Sequence, residues 1–159
     1  MGGIHGGERG FYPASKTGAN YNIPDSVTSI EAGAFSGCTS LTSITIPDSV
    51  TSIEGNAFNS CTSLTSLTIP DSVTSIEEGA FADCTSLKSI TIGNSVTSIG
   101  HWAFERCTSL TAMTFLGDAP KAGEEVFEDA TPTIYRKPEA KGWAETWGGR
   151  PVKLISEKP

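Results

Sequence analysis

The stretch Ile46-Pro-Asp-Ser-Val-Thr-Ser-Ile-Glu-Gly-Asn-Ala-Phe-Asn-Ser-Cys-Thr-Ser-Leu-Thr-Ser-Leu-Thr68 decides the fold, because almost the same 23 residues recur on both sides of it. Four such units follow one another, at 23–45, 46–68, 69–91 and 92–114. A repeat of this length is typical of a solenoid, in which each unit buries its apolar side only against its neighbours. The sequence therefore predicts a coil of stacked turns with one continuous core.

Each unit contains a strand pattern, a turn and a second apolar stretch. Residues 41–46 end in period-two alternation, which predicts a short strand that pairs in parallel with its equivalents in the next units. The Pro-Asp-Ser sequence at 47–49 predicts a turn. Residues 54–60, which carry the Ala-Phe pair, are predicted to form a short helical turn. The expected class is an α/β solenoid with short parallel strands and short helical turns.

Phenylalanine and cysteine recur at two fixed phases of the repeat and should form two columns in the core. The rings at one phase are predicted to stack with an offset. They are Phe35, Phe58, Phe81, Phe104 and Phe127. The thiols at the other phase are predicted to form a buried ladder. They are Cys38, Cys61, Cys84 and Cys107.

Two other interpretations of the cysteines stay open. Successive members of a ladder lie near the separation that a disulfide tolerates, but parallel side chains do not converge as a disulfide requires. A metal site needs ligands that converge on one centre, which a straight column of single cysteines does not provide. Position 107 becomes Ala130 in the next unit, and this favours a small buried space-filler.

Aspartates form a third column, at Asp25, Asp48 and Asp71, which continues as Asn94. These side chains either cap their own turns or form a weak calcium site. The asparagine favours capping, because an amide keeps the hydrogen bond and dilutes the charge. No metal site and no cofactor are therefore predicted.

The chain offers no recognisable catalytic set. A nucleophilic serine needs a histidine base and an orienting acid, and the only histidines are His5 and His101, neither in an activating motif. The serines and threonines recur in one repeated environment, whereas an active site is singular. We therefore expect a protein that is not an enzyme.

Composition excludes two classes of partner. The 159 residues suit one domain, with a net charge of -7 that argues against a surface that follows nucleic-acid phosphates. No apolar run reaches the length of a membrane span, so membrane insertion is not expected. Residues 1–10 are rich in glycine and have no apolar segment typical of a signal peptide.

The repeat resembles the BspA-like branch of leucine-rich-repeat proteins. The residues that carry the resemblance are Ile-Pro-Asp-Ser-Val-Thr-Ser-Ile-x-x-x-Ala-Phe-x-x-Cys-Thr-Ser-Leu-Thr-Ser-Ile-Thr at 23–45, repeated with few changes to 114. The resemblance implies a right-handed coil. Family members are mainly surface-associated or secreted binding proteins, so it also implies a cell-surface or secreted binding or adhesion module for protein or glycan.

The flanks are also similar to parts of that family. Residues 12–23 look like the back half of an irregular repeat, and 131–154 resemble a closing cap. We therefore expect four parts: a leader at 1–10, a repeat remnant at 11–22, the array at 23–130 and a carboxyl-terminal cap at 131–159. Trp143 and Trp147 are predicted to lie on one face of a cap helix and to form its core.

The candidate ligand surface is the outward side of the first strand in each unit, a nearly uniform set of small hydroxyls. Such a surface can bind a glycan, peptide backbone or ordered water. Alternatively, these residues only satisfy the β-propensity of an exposed strand. Trp102, on the variable turn side, is either local packing or a recognition anchor. The remaining candidate residues are Ser43, Thr45, Ser66, Thr68, Ser89, Thr91 and Thr114.

The amino end has no evident cap, and an uncapped solenoid end exposes strand backbone and core. We therefore expect self-association around 11–30, from Phe11 to Ile30, as a twofold homodimer. The alternative is that residues 1–10 fold over this end. A purely structural role in a larger surface protein and ice binding remain alternatives to ligand binding.

Overall fold

The computed structural model describes residues 19–159 together with the backbone of Ile4 and His5; residues 1–3 and 6–18 are outside the described part. The described strands, in chain order, are β1 (Ile4–His5), β2 (Asn20–Asn22), β3 (Ser29–Ile30), β4 (Ser43–Thr45), β5 (Ser52–Ile53), β6 (Ser66–Ile69), β7 (Ser75–Ile76), β8 (Ser89–Ile92), β9 (Ser98–Ile99), β10 (Ala112–Phe115), β11 (Lys121–Ala122), β12 (Thr133–Arg136), β13 (Thr146–Trp147) and β14 (Arg150–Leu154).

The strands form two rows along the coil. One row runs β3-β5-β7-β9-β11 in parallel, with β1 added antiparallel to β3. The other row begins with the parallel pair β2-β4 and continues as a sheet in the order β6-β8-β10-β12-β14-β13. Leu67 pairs with Ile90, and Ile90 with Met113, so each turn lies in register with the next. The predicted solenoid of short parallel strands is confirmed, and its right-handed sense stays a prediction.

The prediction of helical turns was wrong. Residues 55–60 form consecutive tight turns, and the described residues contain no α-helix, only the 3-10 helix Ile155–Glu157. The amide of Phe58 donates to the carbonyl of Ala80 in the next unit at 2.8 Å, and the amide of Asn59 donates three residues back to Asn56 at 3.1 Å. In an α-helix each amide donates to the carbonyl four residues earlier. Here alternate amides donate to the neighbouring turn instead, so the segment is not an α-helix.

The phenylalanine column runs through the core with nearly parallel rings. Centroids are 5.2 Å apart from Phe35 to Phe58 and from Phe58 to Phe81, and 5.3 Å apart from Phe81 to Phe104. The last step, to Phe127, widens to 6.0 Å with a tilt of 27°. The period of the sequence thus becomes a stack of rings about one strand spacing apart.

The cap contains strands and bends where a helix was predicted, and that prediction was wrong. Trp147 lies in β13, pairs with Arg150 and is buried, whereas Trp143 lies in an irregular segment and is half-buried. Both rings nevertheless pack on Phe115, with centroids 4.9 Å away for Trp143 and 5.0 Å away for Trp147. The indole N–H of Trp147 donates to the carbonyl of Pro120 at 2.8 Å, which satisfies its polar atom inside the cap.

The predicted self-association patch lies partly outside the described residues, since Phe11 and Tyr12 are not described. Within the described part, Ile4 is aligned with Ile30 through the antiparallel pairing of β1 with β3. The homodimer stays a prediction.

Candidate ligand-binding face

The strand face, defined here as the outward side chains of β4, β6, β8, β10 and β12, carries the candidate hydroxyls. Alternate residues of each strand point inward, where Leu67, Ile90 and Met113 join the core. The exposure of the outward residues falls along the coil. Those of β4 and β6 are exposed, those of β8 are half-buried, and Thr114 is 7% exposed.

Serine and threonine hydroxyls outside the strand face link one turn to the next. Thr51, Thr74 and Thr97 each donate to the carbonyl of the equivalent threonine one unit earlier, at 3.2 Å. These bonds add side-chain links to the backbone ladder and account for part of the high hydroxyl content of the repeat. They give these threonines a structural role.

Most hydroxyls of the strand face are not used in this way. Among the strand-face hydroxyls that the structure describes, those without a protein hydrogen bond are the hydroxyls of Thr45, Ser66, Thr68, Ser89 and Thr91. Ser43 donates to the side chain of Asn20, and Thr114 accepts from Lys158. The free hydroxyls thus form one continuous patch over β4, β6 and β8.

A groove extends over this patch from β4 to β8 and includes the point between β4 and β6 where the row of strands is interrupted. The amide of Thr65 lies 3.4 Å from the carbonyl of Thr42, whereas the next bond of the same kind, from Lys88 to Thr65, measures 2.8 Å. The groove has a volume of about 450 Å³. Its lining combines hydroxyls with apolar side chains, with Ser43, Thr45, Ser66 and Thr68 beside Ile44 and Leu67. Sequence reasoning missed this break, and no residue of the repeated motif marks it.

Trp102 lies apart from the strand face, in the turn segment of the fourth unit. It is 37% exposed, and within the described part it is the one exposed large apolar residue. Its indole N–H donates to Glu125 Oε2 at 3.4 Å, and its ring lies 5.8 Å from that of His101. The structure therefore does not bring Trp102 together with the predicted hydroxyls.

Trp102 has a φ of 56°, in the left-handed region. The equivalent residues of the other turns share that conformation. They are Gly33, Asn56, Gly79 and Glu125. Glycine and asparagine adopt it readily, whereas a bulky residue is strained.

One member of the aspartate column bonds across turns: Asp71 Oδ1 accepts the amide of Asn94 in the next unit at 2.8 Å. Asp118, one position beyond the phase of the column, accepts the amide of Lys141 in the same way at 2.8 Å. The amide that Asp71 caps therefore belongs to the following turn and not to its own. In the part of the chain that the structure describes, no three His, Cys, Asp or Glu residues are grouped to hold a metal ion.

Several charged groups on the turn side are paired with each other. Arg106 binds Asp83 through two hydrogen bonds, of 2.7 and 3.0 Å, and the guanidinium lowers the pKa of that carboxyl below its usual value. Glu125 and Glu128 share a hydrogen bond, which lowers the pKa of Glu125 and raises that of Glu128. The strand face from β4 to β8 presents neutral hydroxyls instead, which offer hydrogen bonds and no charge.

No helix among the described residues has the length and apolar character that crossing a membrane requires. The chain also has no match among curated proteins.

Solved structures of leucine-rich-repeat proteins share this fold. A protein from Eubacterium ventriosum is 30% identical with a TM-score of 0.72, over 79% of this chain and 35% of that one. The T. pallidum leucine-rich-repeat protein is 30% identical with a TM-score of 0.69, over 74% of this chain and 58% of that one. A protein from Bacteroides capillosus is 28% identical with a TM-score of 0.54, over 80% and 83%. The chain thus spans 35% and 58% of the length of the first two.

The family model called "BspA type Leucine rich repeat region" matches residues 7–133 in six copies. Leucine-rich-repeat families are generally non-enzymatic binding modules. The match covers the repeats and the turn that follows them, with the same 23-residue units that the strands display. The chain belongs to the BspA-type leucine-rich-repeat family.

Proposed function

We propose that the chain is a non-enzymatic binding or adhesion module that recognises a protein or a glycan through its strand face. The observation that carries this proposal is the patch of free hydroxyls on β4, β6 and β8. A hydroxyl both donates and accepts, so an ordered patch offers paired hydrogen bonds to sugar hydroxyls or to peptide groups. Parallel strands in register repeat these groups about every 4.8 Å along the coil.

The groove between β4 and β6 supports the same proposal. Binding sites are usually concave, with apolar walls and a few placed polar groups. Here Ile44 and Leu67 supply the apolar floor, and Ser66 and Thr68 supply polar groups on the rim. A flat hydroxyl surface alone has no such depth, so the groove favours ligand binding over a purely structural role.

Ice or ordered-water binding is the second alternative, because Thr45, Thr68 and Thr91 recur at one phase of the repeat and Thr68 pairs in register with Thr91. It has less support, since the series stops at Thr114, which is buried. A cell-surface or secreted location is part of the proposal and comes from the family resemblance. Nucleic acid and membrane insertion are not part of it, and the four-part division of the chain and the homodimer remain proposals.

The test is capture on an array of glycans and extracellular-matrix proteins. The variants T68R/T91R and T68E/T91E place long charged side chains on the strand face, pointing away from the core. We expect both to lose at least ten-fold in capture while the free energy of unfolding changes by less than about 1 kcal/mol. Loss of capture in both variants indicates steric blocking, whereas loss in only one of them indicates that the ligand prefers one sign of charge.

The matched control is T85R/T108R, because Thr85 and Thr108 are exposed hydroxyl residues outside the strand face. It should capture ligand as the unaltered chain does. Equal capture by the strand-face variants would place the site elsewhere, with the turn side around Trp102 next to be tested. Capture of nothing on the array, together with thermal hysteresis in ice growth, would favour ice binding instead.

A further inference from the structure

The last described residues fold back over the strand face. After β14 the 3-10 helix Ile155–Glu157 reverses the chain, and the carboxylate of Glu157 accepts the amide of Leu154 at 2.8 Å. The amide of Lys158 donates to the carbonyl of Ile155 at 3.0 Å, which closes the turn. These bonds fix the direction in which Lys158 leaves the turn.

The ammonium of Lys158 lies on two strand-face residues. Its Nζ donates to Thr114 Oγ1 at 3.1 Å and lies 5.7 Å from the centroid of the Tyr135 ring. Thr114 and Tyr135 are partners in the register of β10 with β12, and they are 7% and 6% exposed. Thr114 pairs with Thr91 on its other side, so this site continues the row of outward hydroxyls.

The contact identifies the chemistry that this end of the face accepts. An ammonium over an aromatic ring, with a hydroxyl oxygen as acceptor, is a geometry for binding a lysine side chain. Within the described residues the ammonium of Lys158 forms no ion pair, because the salt bridges there are those of Arg106. The lysine is therefore held by weak contacts, and a second lysine can make the same ones.

We propose that Thr114 and Tyr135 form a lysine-binding site at the cap end of the strand face, and that Lys158 occupies it in the free protein until a lysine of a protein ligand replaces it. This inference rests on the proposed function and deepens it, since it names protein rather than glycan as the ligand at this end. The free hydroxyls of β6 and β8 would then contact the peptide groups on one side of that lysine.

The tethered Lys158 is a modest competitor. A tether of this length gives an effective concentration in the millimolar range, and one exposed cation–π contact is equivalent to roughly a two- to five-fold factor in affinity. Removing Lys158 should therefore raise the affinity for an added lysine peptide by roughly two- to five-fold. Lys153 gives the matched control, because it is exposed and aligned with Tyr135 on the neighbouring strand.

The experiment is an NMR titration of the full chain with the peptide acetyl-Gly-Lys-Gly-amide, and with its norleucine analogue, which lacks the ammonium. In K158A we expect resonances of Thr114 and Tyr135 to shift with the lysine peptide alone, at a lower concentration than in the unaltered chain or K153A. In the same K158A background, Y135F should keep the shift at Thr114 and Y135L should lose it. Equal shifts with both peptides, or no shift at Thr114 and Tyr135 in K158A, would overturn the inference.

The array separates this outcome from the proposed function. If ligands are captured equally by the unaltered chain, K158A, T114V and Y135L, the strand face binds ligand without the lysine site, and the inference fails alone. If the array captures nothing, the proposed function fails, while the NMR titration of K158A still decides whether the lysine site exists.

Discussion

The thiol of Cys84 donates a hydrogen bond to the backbone carbonyl of Phe58, 3.2 Å away and one turn earlier in the coil. Cys61 and Cys107 make the same bond to Phe35 and Phe81, at 3.1 and 3.0 Å. All four cysteines are buried, and none of them forms a disulfide within the described residues. Burial raises the pKa of Cys61 and of Cys107 to about 12, so the thiols stay protonated and satisfy carbonyls of the core.

The first prediction is that these thiols are unreactive in the folded protein. The thiolate is the reactive form, and a buried thiol with a raised pKa supplies almost none at neutral pH. We expect an aromatic disulfide reagent to modify few or none of the four cysteines in the native protein and all four in denaturant. Paired cysteines found by mass spectrometry without reductant would contradict this expectation.

The second prediction concerns alkaline stability. Above the ordinary pKa of 9.0 the unfolded chain loses thiol protons, while the folded chain keeps them up to about pH 12. The unfolded state then binds fewer protons, so the free energy of unfolding falls as pH rises, by about 1.4 kcal/mol per pH unit for each thiol that titrates fully.

The control for this effect is C84A, since alanine occupies the equivalent position at Ala130. Urea unfolding between pH 7 and pH 10.5 should give a shallower loss of stability for C84A than for the unaltered chain, by about 1 to 2 kcal/mol over the alkaline part. Parallel curves for the two proteins would mean that the Cys84 thiol does not remain protonated in the fold.

The third prediction concerns the centre of the phenylalanine column. Phe81 is fully buried between two rings at 5.2 and 5.3 Å, so F81A should cost about 3 to 5 kcal/mol by opening a cavity inside the stack. F127A, at the loosely stacked end with 7% exposure, should cost less. Chemical denaturation measures both, and a loss below about 1 kcal/mol for F81A would show that the column is not packed.

The architecture was predictable because the same signal occurs four times. One strand pattern of four to six residues is ambiguous, but its recurrence every 23 residues at one phase fixes stacked parallel strands and a shared core. The turn chemistry was less predictable. A single Ala-Phe segment is compatible with a helical turn. In the structure some amides of this segment donate to the next unit instead, as that of Asn56 does to the carbonyl of Glu78, and such bonds depend on the neighbouring coil.

The candidate site was predictable only in part. The period placed Ser66, Thr68, Ser89 and Thr91 on one face, because alternate residues of a strand point to the same side. The cover over Thr114 was not predictable, since it depends on how Lys158 folds back across 44 residues of sequence. The groove between β4 and β6 is also a property of strand spacing, which identical motifs do not encode.

The last prediction concerns the left-handed backbone at Trp102, where φ is 56°. A residue with a Cβ atom is strained in this conformation by about 1 to 2 kcal/mol, whereas glycine is not. W102A and W102G lose the same contacts with His101 and Glu125 and differ only in the Cβ atom. We therefore expect W102G to be more stable than W102A by about 1 kcal/mol, as measured by urea unfolding.

The reciprocal control is G79A, at the equivalent position one turn earlier, where φ is 65°. A Cβ atom there also contacts the side-chain oxygen of Asn56, so alanine should destabilise by at least as much as the Cβ atom does at position 102. Because glycine normally destabilises a folded segment relative to alanine, a preference for glycine at both positions is specific to the left-handed conformation. W102A as stable as W102G would mean that this backbone relaxes without strain and that the tryptophan carries no conformational cost.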